Sequence, residues 1–479
     1  MSTQQVDVPN EDGQPDTKIT EGATQESPQW LQDWVDLILA TKNIRFWSPP
    51  DDPDKPELPY IPGFTVRIHR HIPPPPEPVP PLSTEYLRSV SQSEAVVANP
   101  PPETPTPAQP ETAQLTITTP IATGAARGSQ VVACTVVLRD DKRQSTKQFQ
   151  ATAKIYDPLY YNFKLELAPD PRDVVSRAHH DYSTEAAAYE HLLKTGQTAP
   201  GSFAPEYYGT WTFDLPIDIK GNPRMRPVRL VLMERLQGTS IRDMRIRNNP
   251  DWSLGKDLFH FPEEYRLEVL ARTMQGVVKQ WRTGIDQADF AGRNIILVTN
   301  NYAAGELNGK GGLALPRIVL VDYNYATVQS LPEPFSPPHN PIAAFWGAYL
   351  CEDFTGWVPH EWQDIRLQRE WLLRRFDVVS HLYQPLPEHI LPEVEELLHA
   401  DATSSEPPAT TSATPGLNVP TSLEPISRPP YRTSSPPKLK FGFGPYEFLP
   451  YKTIEEIRQL VAAAELEPST HRAKSNEKR

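Results

Sequence analysis

Proline placement limits where this chain can fold. There are 55 prolines among 479 residues, and they crowd into a few stretches. Proline fixes φ and lacks an amide donor, so such stretches do not run through a central strand or a helix interior. HIPPPPEPVPP, from His71 to Pro81, and PPPETPTPAQPE, ending at Glu111, read as an extended polyproline spacer. Residues 401–440 are rich in Ser, Thr and Pro and read as disordered. Folding is therefore expected mainly between residues 113 and 400.

Composition supports one large folded domain with disordered arms, because only 38% of residues are hydrophobic. The net charge of −13 repels nucleic-acid phosphates and anionic membrane surfaces, so neither is an expected partner. Cys134 and Cys351 form no CxxC pair, which argues against zinc and suits a reducing compartment. The first residues lack the basic start and apolar core of a signal peptide, and no run approaches the ~18 apolar residues of a membrane span. The expectation is an intracellular, cytoplasmic monomer.

The chain divides, on this reading, into six parts. Residues 1–26 are disordered. Residues 27–71 form a helical and extended segment, opened by Ser27-Pro28, with Leu31, Trp34, Val35 and Ile38 on one face that docks on the main domain or on a partner. Residues 72–112 are a Pro-rich linker, open to binders of Pro-rich motifs. Residues 113–400 are the folded domain, 401–440 a disordered insert, and 441–479 a terminal segment whose short helix starts at the Thr453-Ile-Glu-Glu456 capping box. Within the domain, LTITTP, VVACTVVL, QFQATAKIYD, VRLVLMERL, NIILV and RIVLVDY read as strands. EAAAYEHLLKTG and PEEYRLEVLARTMQGVVKQWRTG read as helices, the second with Leu267, Leu270, Ala271, Met274, Val278 and Trp281 as its apolar stripe. Strands precede helices, which is an α+β order.

Chemistry-bearing residues concentrate in QADFAGRNIIL, where Asn294 follows Asp289 by five positions, and in RIVLVDYN, where Asp322 ends a strand. Phosphoryl transfer uses one carboxylate to orient and deprotonate a hydroxyl, and an amide oxygen with a second carboxylate to hold Mg²⁺. Alone, the spacing also fits a loop Asp and a turn Asn. Lys154, among apolar neighbours in ATAKIYD, can pair with nucleotide phosphates, steadied by Glu185 in preference to Glu190. Gly124-Ala-Ala-Arg-Gly128 joins two strands, as a phosphate-approaching turn or a plain hairpin. LVLMERLQG, Leu230 to Gly238, is either a strand offering backbone groups to an adenine or an ordinary strand.

In this order the motifs resemble the protein-kinase-like superfamily, and GAARGSQV, AKIYD, EAAAY and DFAGRN look like the divergent kinase-like proteins of filamentous fungi. The resemblance implies a bilobal fold, with a small β-rich N-lobe and a larger, mostly helical C-lobe. It implies ATP and Mg²⁺ as cofactors and a protein or small-molecule phosphoacceptor. Asp289 would be the base, Lys154 the phosphate contact and Glu185 its partner. Asn294 and Asp322 would hold Mg²⁺. Gly124, Gly128 and Val131 would cover the nucleotide, and Met233, Glu234 and Arg235 would form the hinge. Three departures bear on activity. Gln287-Ala288 replaces His-Arg before Asp289, removing support for the loop; Tyr323-Asn324 replaces Phe-Gly; and no Ala-Pro-Glu follows. These leave a nucleotide-binding pseudokinase, or a small-molecule kinase of the aminoglycoside or choline type, as alternatives.

Overall fold

A computed structural model describes residues 47–404, apart from 78–79, 103, 106–109, 125–126, 141–144, 165–169, 246–258, 260, 299–314, 330–336 and 377–381. The expected helices after Ser27 and Thr453 and the insert at 401–440 lie largely or wholly outside these residues. The described residues fall into two compact units, the first running to Gly238 and including Val298, the second holding the other residues from Thr239 onward.

The first unit is built on strands β1 (Thr65–Arg70), β2 (Thr112–Ala122), β3 (Gln130–Asp140), β4 (Ser145–Tyr156), β5 (Tyr207–Ile219) and β6 (Asn222–Glu234). They close into an antiparallel barrel in the order β1-β2-β3-β4-β6-β5. This corrects the expected bilobal kinase-like fold with its small β-rich lobe. The closing strand, β1, lies ahead of the Pro-rich stretch and pairs with both β2 and β5, through Ile68 opposite Ala113 and Arg70 opposite Trp211. Closure removes the free sheet edges that an open sheet would leave.

Side chains alternate along each strand, and the inward set makes the core. Leu115, Val132, Cys134, Ala153, Ile155, Trp211, Phe213, Leu230 and Leu232 belong to one buried cluster. The β5–β6 hairpin turns at Lys220 and Gly221, both with positive φ, the backbone a two-residue hairpin turn requires.

The Pro-rich stretch is not a free arm. It contains helices α1 (Thr84–Ser89) and α2 (Gln92–Ala98), the latter opened by a Ser91/Glu94 capping box. Helix α3 (Val174–Lys194) begins eleven residues before the stretch that sequence marks as helical, because Asp173 caps the amides of Val175 and Ser176.

The second unit contains α4 (Glu263–Arg282), α5 (Pro341–Phe345), α6 (Leu350–Asp353), α7 (Ile365–Phe376) and α8 (Leu391–Ser404). Among the described residues of this unit, only α4, α7 and α8 exceed five residues, so the expected large helical lobe is also corrected. Of the predicted α4 stripe, Leu270, Ala271, Met274 and Val278 are buried, whereas Leu267 and Trp281 are half-buried. Strands β7 (Gly238–Ser240), β9 (Ile295–Val298) and β10 (Arg317–Leu320) form a sheet in the order β10-β9-β7, and β8 (Ile285–Asp286) pairs with β11 (Thr327–Val328).

Candidate functional site

Two groups of candidate residues stand in separate units. In the first unit, Lys154 lies on the outward face of β4, opposite Val131 of β3 and Val231 of β6. Its ammonium pairs with Glu185 of α3, and both side chains are nearly dry, at 8% and 0% exposure. The same Glu185 oxygen accepts a 2.5 Å hydrogen bond from the Tyr156 hydroxyl. Glu190 points elsewhere and pairs with Lys194.

One turn before Glu185, the buried Asp181 faces the same neighbourhood. Burial raises its carboxyl above the usual carboxylate range, with Arg177 and Lys154 opposing the shift. Its position four residues before Glu185 is a sequence signal that motif matching overlooks.

The Gly124–Gly128 turn is closed from within. The Gln130 side chain accepts from the Gly124 amide at 2.8 Å and donates to the carbonyls of Gly124 and Gly128. A Cβ at Gly128 would sit 3.4 Å from the Tyr161 ring, so the turn packs on Tyr161. Met233 and Glu234 remain within β6, registered against Thr152 and Ala151 of β4, and Tyr189 donates to the Met233 sulfur. The Glu234 amide is committed to the Glu206 carbonyl, at 2.8 Å. Arg235 follows the strand and is half-buried.

In the second unit the structure brings Asp289, Asn294 and Asp322 together. The buried Asn294 amide donates to the Asp289 backbone carbonyl at 2.9 Å and to its carboxylate at 2.7 Å. The Val321 amide donates to the Asn294 carbonyl at 2.9 Å, tying the strand that delivers Asp322 to the loop. Gln287 supplies the support that loss of His was expected to remove. Its amide donates to the carbonyls of Val321 and Asp322, at 3.1 and 2.7 Å, and its oxygen accepts from the Asp289 amide at 3.0 Å. Ala288 and Asp322 hold left-handed backbone, at φ 59° and 66°. That conformation is uncommon for residues with a Cβ and is sustained here by the surrounding hydrogen bonds.

Two neighbours temper this group. Arg293 makes an ion pair with the Asp289 oxygen that Asn294 leaves. Asp353, at the end of α6, is raised to about 6, first by desolvation and then, against the pull of Arg293, by the Asp289 charge. The Asp353 backbone carbonyl accepts from the Gly292 amide at 3.2 Å, and a Cβ at Gly292 would lie 3.3 Å from that oxygen. Sequence spacing gives no hint of Asp353, which arrives from a distant helix.

Among the described residues no group of three or more His, Cys, Asp and Glu side chains could hold a metal ion. Magnesium needs fewer protein ligands, since one or two carboxylates with phosphates and water complete its shell. Committing the Asn294 nitrogen to Asp289 leaves its amide oxygen as the donor end. The Asn324 amide oxygen, two residues beyond Asp322, is a buried acceptor with no hydrogen-bond partner. Amide and carboxylate oxygens are the donor type that a hard cation takes. No described helix is long and apolar enough to cross a membrane.

No protein-family model matches the chain, and no curated protein matches it. Among solved structures, a kinase domain matches at 14% identity over 46% of this chain, with a TM-score of 0.26. The chain spans 53% of that domain, so the likeness to a kinase domain is weak and partial.

Proposed function

We propose that the protein is an ATP- and Mg²⁺-dependent phosphotransferase acting on a hydroxyl, of a protein Ser/Thr in the first reading and of a small molecule in the alternative. The observation that carries this is the hydrogen-bonded union of Asp289, Asn294 and the Asp322 backbone through Gln287. Asp289 would orient the acceptor hydroxyl and take its proton, once Arg293 releases its oxygen. Asn294 and Asp322 would hold the metal through oxygen atoms, with Asn324 as a further oxygen nearby in sequence. Bound Mg²⁺–ATP supplies the transferable phosphoryl group and the charge neutralisation that its transfer needs. In the first unit, Lys154, oriented by Glu185 and steadied by Tyr156, would be a phosphate contact.

A second reading, nucleotide binding without catalysis, draws on one observation. Both Asp289 carboxylate oxygens are engaged, one by Arg293 and one by Asn294. Mg²⁺-dependent ATP turnover and thermal shift, measured on the full chain and on Asp289→Ala and Asp322→Ala, separate the readings. Loss of turnover in both variants supports catalysis. A nucleotide-dependent shift with no turnover in the unmodified chain supports the second reading. Turnover that survives both substitutions refutes the assignment of these residues.

A further inference from the structure

The Pro-rich stretch carries a threonine whose hydroxyl is aimed at a basic cluster on the barrel. Thr104 precedes Pro105 and is half-buried. Its Oγ1 lies 2.9 Å from His71 Nε2, and His71 Nδ1 lies 2.5 Å from the Tyr182 hydroxyl. The Arg229 guanidinium stacks over the Tyr182 ring at 5.4 Å, lies 3.0 Å from His179 Nδ1, and donates to the Pro102 carbonyl at 2.5 Å. The segment is thus pinned on either side of Glu103, through Thr104 to His71 and through the Pro102 carbonyl to Arg229, and His179 adjoins Arg229.

Arg229 is 6% exposed. Its hydrogen bonds above go to a carbonyl and an imidazole, neither of which carries negative charge. His71 and His179 are each pushed down to about 4, first by burial and next by Arg229, which marks a positive neighbourhood. Glu190 also lies within electrostatic reach of Tyr182, but it pairs with Lys194. Among the described residues, no carboxylate forms an ion pair with Arg229, and the pocket is short of one anion.

We propose that Thr104 is a phosphorylation site for a kinase that reads Thr-Pro, and that the His71, His179 and Arg229 cluster receives the phosphate. Thr104 Oγ1 attacks the γ-phosphorus of a nucleoside triphosphate held by that kinase. The new O–P bond forms as the bond to the nucleoside diphosphate breaks, and the hydroxyl proton passes to the kinase's base. The product dianion offers acceptors to Arg229 and draws protons onto the imidazoles, converting neutral contacts into charge-assisted ones. Because Tyr182 and His179 sit on α3, the modification would lock this stretch onto the helix that also carries Glu185. The proposal does not depend on the protein's own catalysis.

The test uses the full chain with phosphothreonine installed at position 104 and, separately, the unmodified chain treated with a proline-directed kinase and ATP. Mass spectrometry of the treated chain is expected to find phosphate on Thr104; phosphate confined to Thr106 or elsewhere overturns the site. In the installed form the melting temperature is expected to rise by about 2–4 °C, corresponding to a gain on the scale of one charge-assisted contact. The phosphorus-31 titration is expected well below the midpoint of about 6 found in a phosphothreonine peptide. Both effects should shrink by half or more in His71→Asn, which leaves Arg229 and the fold in place. A phosphate that titrates as in the peptide, or a lowered melting temperature in the installed form, overturns the receiving pocket.

Discussion

Replacing Gln287 with Leu removes the side chain that joins the Asp289 loop to the Asp322 strand while keeping its approximate volume. Gln287 is 4% exposed and makes hydrogen bonds to the Asp289 amide and to the carbonyls of Val321 and Asp322. Each such bond contributes about 1 kcal/mol net, and a backbone group left dry and unpaired costs about 1–3 kcal/mol. Some of the three groups will regain water, so the expected loss is about 2–4 kcal/mol, or about 4–16 °C in melting temperature. Hydrogen exchange locates the effect: the Asp289 amide should exchange at least tenfold faster in Gln287→Leu, beyond any uniform change elsewhere. Gln287→Glu is a sharper probe, because it keeps the acceptor for the Asp289 amide but turns a second oxygen toward two carbonyls. It should be as damaging as Leu at neutral pH and milder in acid. A Leu variant that melts within 1 °C of the unmodified chain, with Asp289 exchange unchanged, would refute the claim that Gln287 holds the group together.

Asp157→Ala should destabilise the barrel unit by about 3–5 kcal/mol, since it strands a buried Arg226 whose partner it was. Urea unfolding checks this, and adding Arg226→Met should recover much of the loss; additive losses would contradict it. Acid should weaken the same unit before its carboxylates titrate. His71 and His179 hold folded values near 4, below the unfolded value of about 6.5, so the fold binds fewer protons than the unfolded chain. Their contribution is complete above pH 6.5 and falls away as pH drops toward 4, and His71→Asn should flatten that slope. Asp353 acts oppositely in the second unit: its raised value makes stability decline as pH rises from about 4 to 6. Asp353→Asn should abolish that decline in melting scans.

The parts of the fold that sequence made legible are those with local signals. Lys154 sits in an apolar strand run, and its placement against the α3 face needed only the two periodicities of strand and helix. Strand β5 was equally legible in principle, because Trp211, Phe213, Leu215 and Ile217 alternate inward before the Lys220-Gly221 turn. Its charged and proline residues, which point outward, hid it. Strand β1 was not legible. Of its six residues only Ile68 is fully buried, and its stability comes from pairing with β2 and β5, which lie far along the chain. Barrel closure is therefore a tertiary event, and motif order alone suggested the wrong architecture. The site divides the same way. Asp289 and Asn294 were readable from spacing, and the engagement of Asp289 by Arg293 is a local contact four residues apart, whereas the approach of Asp353 depends on packing within the second unit.

Two nearly dry ion pairs in the barrel unit, Lys154–Glu185 and Asp157–Arg226, pose the same energetic question. Removing two charges from water offsets most of their attraction, so an apolar pair of similar size would fold about as well. A pair kept against that balance fixes registry or serves a ligand. Asp157 has a registry partner, since Tyr60, from the segment ahead of β1, donates to it at 2.5 Å and packs edge-on to Tyr160. The Lys154–Glu185 pair also joins two elements, β4 and α3, and Tyr156 steadies it. Registry alone would let Lys154→Met with Glu185→Leu retain both stability and any nucleotide-dependent thermal shift. A ligand role predicts that the double variant melts within about 1 kcal/mol of the unmodified chain, or about 2–4 °C, yet loses the shift with Mg²⁺–ATP. If the shift persists, Lys154 is a structural residue of the barrel and the phosphate contact must be sought elsewhere.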